Sequence, residues 1–275
     1  MRSVVVSGAF DDLRSRHVRF LQEASKLGEV QVVLWSDRNI EAATGSPPKF
    51  PEEERFYLLQ SIRYVQQVTL SSRLNNPDAV PQVANLRPRP KLWVVDEAAA
   101  NVRKKRFCDA HGLGYQVLGR DQLRGFPDWT PTPNSPLPAR DKVMVTGCFD
   151  WFHSGHVRFF EEVSGLGDLY VVVGHDANIR LLKGEGHPAF PQEERRYMIQ
   201  SVRYVKQALV STGHGWLDAE PEIARLKPDI YAVNEDGDKP EKKEFCEREG
   251  IRYVVLKRRP KEGLPARSST NLRGF

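Results

Sequence analysis

Short β-branched runs alternate along the whole chain with longer stretches whose apolar residues recur every three or four positions. Runs such as Val4-Val5-Val6 and Val143-Met144-Val145 are strand-length and bounded by glycine or polar residues, whereas Val157-Arg158-Phe159-Phe160-Glu161-Glu162-Val163 carries the helical period. In the second half of the chain this spacing predicts strands near 142–146, 169–174, 205–210, 229–234 and 252–256, with helices opening near 155, 191, 218, 239 and 269. Pro191 followed by Gln192-Glu193-Glu194 is a strong helix start. Proline tolerates the first turn, and the acids face the positive end of the helix dipole.

The pattern is written twice. Val4 to Phe20 aligns with Val143 to Phe159 at a constant offset, 147 − 8 = 139 and 156 − 17 = 139. Residues 50–67 pair with 190–207, and 12 of those 18 positions are identical, which makes the chain a tandem duplication. Phe107-Cys108 recurs as Phe245-Cys246, and Tyr115-Gln116-Val117-Leu118 as Tyr253-Val254-Val255-Leu256. Strand and helix in alternation imply βαβ units and a parallel sheet. The expected class is therefore α/β, with two tandem Rossmann-like domains, each a parallel sheet flanked by helices. The expected division is residues 1–126, a proline-rich connector over 127–140, and residues 141–275.

Composition narrows the picture only a little. The 275 residues carry a formal charge of +5, which suits a polyanionic ligand, but acids and bases are interspersed and no aromatic-basic module is present, so nucleic acid is not expected. No run approaches the roughly 18 apolar residues of a membrane span, and Met1-Arg2-Ser3 leads straight into a strand, so a cytoplasmic protein without membrane contact is expected. Three cysteines without framework spacing read as reduced thiols, with Cys108 and Cys246 as small buried hydrophobes. Cys148, His153 and His156 lack a fourth ligand at zinc spacing, so no protein-held metal is expected.

The chemistry concentrates in Thr146-Gly147-Cys148-Phe149-Asp150-Trp151-Phe152-His153-Ser154-Gly155-His156, which reads as strand, tight glycine turn and helix start. Two histidines three apart share a face at a helix N-terminus, where free N–H groups favour an anion. The pattern G-x-F-D-x-x-H-x-G-H resembles the signature of the cytidylyltransferase-like nucleotidyltransferases, and Ser268-Ser269-Thr270 resembles the hydroxyl cluster that those proteins carry on a late helix. The resemblance implies transfer of a nucleoside monophosphate, CMP from CTP by first choice, to a phosphorylated small alcohol, polyol or sugar, with Mg2+ accompanying the triphosphate. ATP in place of CTP on a similar acceptor is the alternative, as is a non-catalytic nucleotide-binding regulatory protein. On that resemblance His153, His156 and Lys183 are the catalytic set. Gly147, Cys148, Phe149, Asp150, Gly155, Asn234, Arg259, Arg267, Ser268, Ser269 and Thr270 are the nucleotide contacts, and Asp176, Arg195 and Trp216 the acceptor contacts. Which of Arg258, Arg259 and Arg267 meets phosphate stays open.

The two copies differ where this chemistry sits. Arg14 and Arg16 stand where His153 and Gly155 do, and the first copy lacks the segment 260–269 that precedes the shared Leu-Arg-Gly-Phe. The expectation is a degenerate N-terminal copy, a working C-terminal copy, and an intramolecular pseudo-dimer like the homodimers of single-copy relatives.

Overall fold

A computed structural model describes residues 3–71, 76–128, 140–269 and 272, and within them the apolar runs form two five-stranded sheets whose paired strands are all parallel. The chain divides into two compact units, Met1–Gly125 and Phe126–Phe275. In the first, β1 (Ser3–Gly8), α1 (Ser15–Ser25), β2 (Glu29–Trp35), α2 (Asp37–Thr44), α3 (Glu52–Ser61), β3 (Val65–Ser71), β4 (Leu92–Asp96), α4 (Val102–His111) and β5 (Gly114–Leu118) give the strand order β3-β2-β1-β4-β5.

The second unit repeats this with β6 (Lys142–Gly147), α5 (Ser154–Ser164), β7 (Asp168–Val173), α6 (Asp176–Lys183), α7 (Gln192–Gln200), β8 (Val205–Val210), α8 (Glu220–Leu226), β9 (Ile230–Asn234), α9 (Pro240–Glu249) and β10 (Arg252–Leu256). Its strand order is β10-β9-β6-β7-β8. In each unit the first strand lies between the second and the fourth, so the crossovers leave it in opposite directions and open a crevice at its carboxyl end.

Both faces of β6 are buried, which is why its run is continuously apolar rather than alternating. Successive side chains point to opposite faces. Val143 and Val145 pack with Phe160 and Val163 of α5, while Met144 joins Ile223 of α8 and Phe245 and Cys246 of α9. Each fully buried Val or Phe side chain contributes roughly 1.5–3 kcal/mol. Burial pushes the thiols of Cys108 and Cys246 up to about 11, in keeping with their packing as small hydrophobes.

Two departures from the sequence expectations stand out. α6, which ends at Lys183, is absent from the expected helix starts; it is capped at its start by the His175 ring and stopped at Gly184, where φ is +84°. Its pattern is broken by Leu181 and Leu182, which are exposed. The helix expected to open at 269 is not found at Ser268 or Ser269, which form irregular chain and a turn, and beyond them only Leu272 is described. Residues 129–139 of the expected connector also lie outside the described residues, while Phe126 packs on Tyr197 at 5.4 Å and Asp128 pairs with Arg196 at 2.9 Å.

Candidate active site

The carboxyl end of β6 runs into a turn that only this order of residues permits. Phe149 holds φ at +51°, a costly conformation for a residue with a side chain, and its ring folds back over Gly147. A Cβ on Gly147 would stand 2.8 Å from that ring. From there Phe149 packs against Phe160 and meets His156 edge-on at 5.3 Å.

His153 caps α5 with its own ring. Its Nδ1 accepts the backbone N–H of Gly155 at 3.1 Å, so the proton of the neutral imidazole resides on Nε2. The rings of His153 and His156 stack with centroids 3.8 Å apart. His153 Nε2 and His156 Nδ1 are both buried with no hydrogen-bond partner among the described residues. Burial, with Arg258 and Arg267 nearby, holds the His153 pKa down to about 3. Burial and the neighbouring His153 hold His156 well below the usual histidine range. A neutral imidazole whose Nε2–H is unanswered, beside a second unanswered ring nitrogen at a helix N-terminus, has the chemistry to meet an oxyanion. Gly155 keeps the approach open, because a Cβ there would lie 3.0 Å from the His153 ring and 3.5 Å from the Arg267 carbonyl.

These groups face a cavity of about 440 Å3. All the expected nucleotide contacts from Gly147 to Asp150, together with Gly155, Asn234, Ser268 and Ser269, line it, as do His153, His156 and Lys183. A neighbouring recess of about 240 Å3 shares Gly155, Asn234 and Ser268 with it and adds Arg259 and Arg267. Thr270 lies outside the described residues. The Ser269 hydroxyl donates to the Trp151 carbonyl at 3.3 Å, which ties the C-terminal segment to the histidine loop across 118 residues. Arg258 lines both spaces, pairs with Asp236 and donates to the Arg267 carbonyl at 3.0 Å. Burial pushes the Cys148 thiol up, away from thiolate character.

Several residues take roles that the sequence did not disclose. Arg195, expected to contact acceptor, is 1 % exposed. It donates to the carbonyls of Phe190, Cys148 and Gly174 at 2.9, 2.6 and 2.8 Å and pairs with Asp176 at 2.7 Å. Arg55 makes the same set in the first unit, to Phe50, Ala9, Trp35 and Asp37, so this guanidinium is a fastener of the fold in both units. Asp176 is consumed in the same knot and does not line the cavity. Trp216 is 53 % exposed and is also not among the cavity residues. The acceptor set of Asp176, Arg195 and Trp216 is therefore not brought to the site.

Asp150 faces the cavity, but its carboxylate accepts the backbone N–H groups of Ala189 and Phe190 at 2.7 and 3.0 Å, which holds the loop ahead of α7. Lys242 on α9 lines the cavity and was not foreseen; its Nζ donates to the Gly237 carbonyl at 3.0 Å. The signal for it was the matching Lys104 of the first copy, hidden in two helices that otherwise read as solvated charge.

The first unit closes the corresponding histidine site. His17 Nδ1 accepts the Arg14 backbone N–H at 3.1 Å, which leaves the proton of the neutral ring on Nε2, and the Arg16 side chain covers that nitrogen with Nε 3.3 Å away. Arg14 turns to Asp12 at 2.8 Å.

Residues 144–274 match the family model described as cytidylyltransferase-like. A FAD synthase of Ferroglobus placidus is 34 % identical over 134 residues, 48 % of this chain and 84 % of its own length. A FAD synthase of Archaeoglobus fulgidus is 33 % identical over 129 residues, 46 % of this chain and 90 % of its own. Among solved structures, the lipopolysaccharide core biosynthesis protein of Thermoplasma volcanium is 27 % identical, covers 44 % of this chain and 98 % of its own, and superposes with a TM-score of 0.38.

Proposed function

The chain belongs to the cytidylyltransferase-like family and is a nucleotidyltransferase; from that premise we propose that its second unit transfers the adenylyl group of ATP to FMN. The cytidylyl reading with a polyol acceptor gives way to its adenylyl alternative because the relatives bear the name FAD synthase, and FAD is FMN joined to AMP through a phosphoanhydride. The observation that carries the reading is the pair of buried, neutral, unpartnered histidine nitrogens at the start of α5, on residues that line a cavity together with Ser268 and Ser269.

An FMN phosphate oxygen attacks the α-phosphorus in line, the new P–O bond forms, and the bond to the bridging oxygen breaks with its electron pair leaving on pyrophosphate. Such a transfer asks for positioning and for donors aimed at the oxygens that gain charge. His153 Nε2–H and the His156 ring supply them, already desolvated and fixed by the Gly155 contact and the ring stack. Ser268 and Ser269 hold the β- and γ-phosphates, Lys183 at the end of α6 supplies a cation, and Asn234 at the carboxyl end of β9 meets the base. Arg259 and Arg267 serve the recess beside Gly155. Among the described residues no group of three or more His, Cys, Asp or Glu stands together to hold a metal ion. Mg2+ on this reading arrives on the triphosphate as part of the substrate, as suits an ion that binds mainly through phosphate oxygens and water. The first unit, with its covered His17 and without the Ser/Thr segment, is the non-transferring copy.

The test is pyrophosphate release and chromatographic product detection with ATP or CTP, each against FMN and a polyol phosphate. FAD with one pyrophosphate per FMN consumed is the expected outcome. Turnover with CTP alone, or none with any pair, refutes the assignment.

A further inference from the structure

The first unit has lost its phosphate machinery but not its cavity. At the position in its own sheet that corresponds to the nucleotide site lies a space of about 450 Å3, against about 440 Å3 in the second unit. Its frame is the same. Phe10 holds φ at +46° as Phe149 does, Asp11 accepts the N–H groups of Lys49 and Phe50 as Asp150 does those of Ala189 and Phe190, and Lys104 donates to the Ala99 carbonyl at 2.6 Å as Lys242 does to Gly237.

The lining has changed in one direction. Trp35 stands where the second unit has Gly174, and its indole N–H is fixed on Ser7 Oγ at 3.0 Å. Trp93 replaces Tyr231, whose hydroxyl pairs with Thr146; the Trp93 indole N–H is buried without a partner among the described residues. Asp96 replaces Asn234, and its Oδ1 accepts the Ala99 N–H at 2.7 Å. Aromatic walls, an unanswered donor and a carboxylate acceptor together suit the edge and faces of a planar heterocycle. At the rim, Arg16 occupies the place of Gly155, with Nε on His17 and no partner for its terminal nitrogens among the described residues. One guanidinium fork matches one phosphate. The first unit has Arg14 in place of the second histidine and no Ser/Thr segment to hold β- and γ-phosphates.

We propose that this cavity is a second ligand site, which takes a planar heterocyclic mononucleotide bearing a single phosphate and carries out no transfer. The experiment is equilibrium dialysis of the full chain with AMP and, separately, FMN, comparing the wild type with Ala99→Trp, which fills the exposed wall of the cavity, and Arg16→Ala. At least one of the two probes loses one bound equivalent on Ala99→Trp, and Arg16→Ala weakens that equivalent about tenfold while leaving binding of the unphosphorylated nucleoside or riboflavin unchanged. The loss of one equivalent is read whether or not the second unit takes the same probe, so it stands apart from the transferase assignment. The probe that loses it identifies the ring. Unchanged stoichiometry for both probes in a folded Ala99→Trp chain overturns the proposal. So does an equivalent that binds ATP as tightly as the mononucleotide, or one indifferent to Arg16→Ala.

Discussion

Replacing His153 separates the two jobs of its ring. Nδ1 caps α5 by accepting the Gly155 N–H at 3.1 Å, while Nε2–H is buried and unpartnered on a ring that lines the cavity. In His153→Asn the side-chain oxygen takes the place of Nδ1, and asparagine is among the best N-caps, so the helix start is kept while the far donor disappears. In His153→Ala both are lost. Removing one preorganised donor from a desolvated transfer site costs about 3 kcal/mol at the transition state, roughly a hundredfold in kcat. Losing the cap costs about 1 kcal/mol of fold stability. Both variants are therefore expected to fall about a hundredfold in kcat for pyrophosphate release at saturating substrates. Only the alanine variant is expected to lose about 1 kcal/mol in urea unfolding. An asparagine variant that turned over within about threefold of wild type would refute the donor role, since a factor of three is under 1 kcal/mol.

Gly155→Ala places a methyl 3.0 Å from the His153 ring and tilts it off the N–H it accepts, so kcat/KM drops about tenfold or more, while the melting temperature stays within a few degrees because alanine favours the helix. Arg195→Met and Arg55→Met each strip a guanidinium from three carbonyls and a carboxylate, and each is expected to lose about 3–5 kcal/mol in urea unfolding. An Arg195 variant that lost activity at full stability would restore its acceptor role. His153 is buried neutral with its pKa lowered from 6.5 to about 3, so the unfolded chain binds the extra proton first. Its contribution is complete above pH 6.5 and is lost as pH falls towards the folded value, about 2 kcal/mol by pH 5. His153→Asn should therefore lose about 2 kcal/mol less than wild type between pH 7 and pH 5, and an identical loss would contradict the burial argument.

Much of this molecule was legible from its residues in order. The five strands of the second unit follow from short β-branched runs, and four of its helices from a helical period or a helix-start signal. The duplication is written in a constant offset, and the histidine cradle closes within Gly147 to His156, so turn, cap and ring stack all arise from neighbours. The parallel pairing followed from the alternation of strand and helix, but the strand order came only with the structure. What could not be read were contacts made across the crevice. Arg195 looks like any helical arginine until its carbonyl partners arrive from positions 21 and 47 residues away. Asp150 looks like a nucleotide ligand until the loop 39 residues on donates to it. Lys183 reaches the cavity because α6, a helix the sequence pattern did not announce, ends over the same crevice. Short-range geometry, set by backbone sterics and the residues within one turn, was the part that the sequence determined by itself. Which charged groups are consumed in fastening the fold and which remain to meet a ligand was decided only in tertiary structure, because a buried donor takes whichever acceptor the packed sheet brings within 3 Å, regardless of its distance along the chain.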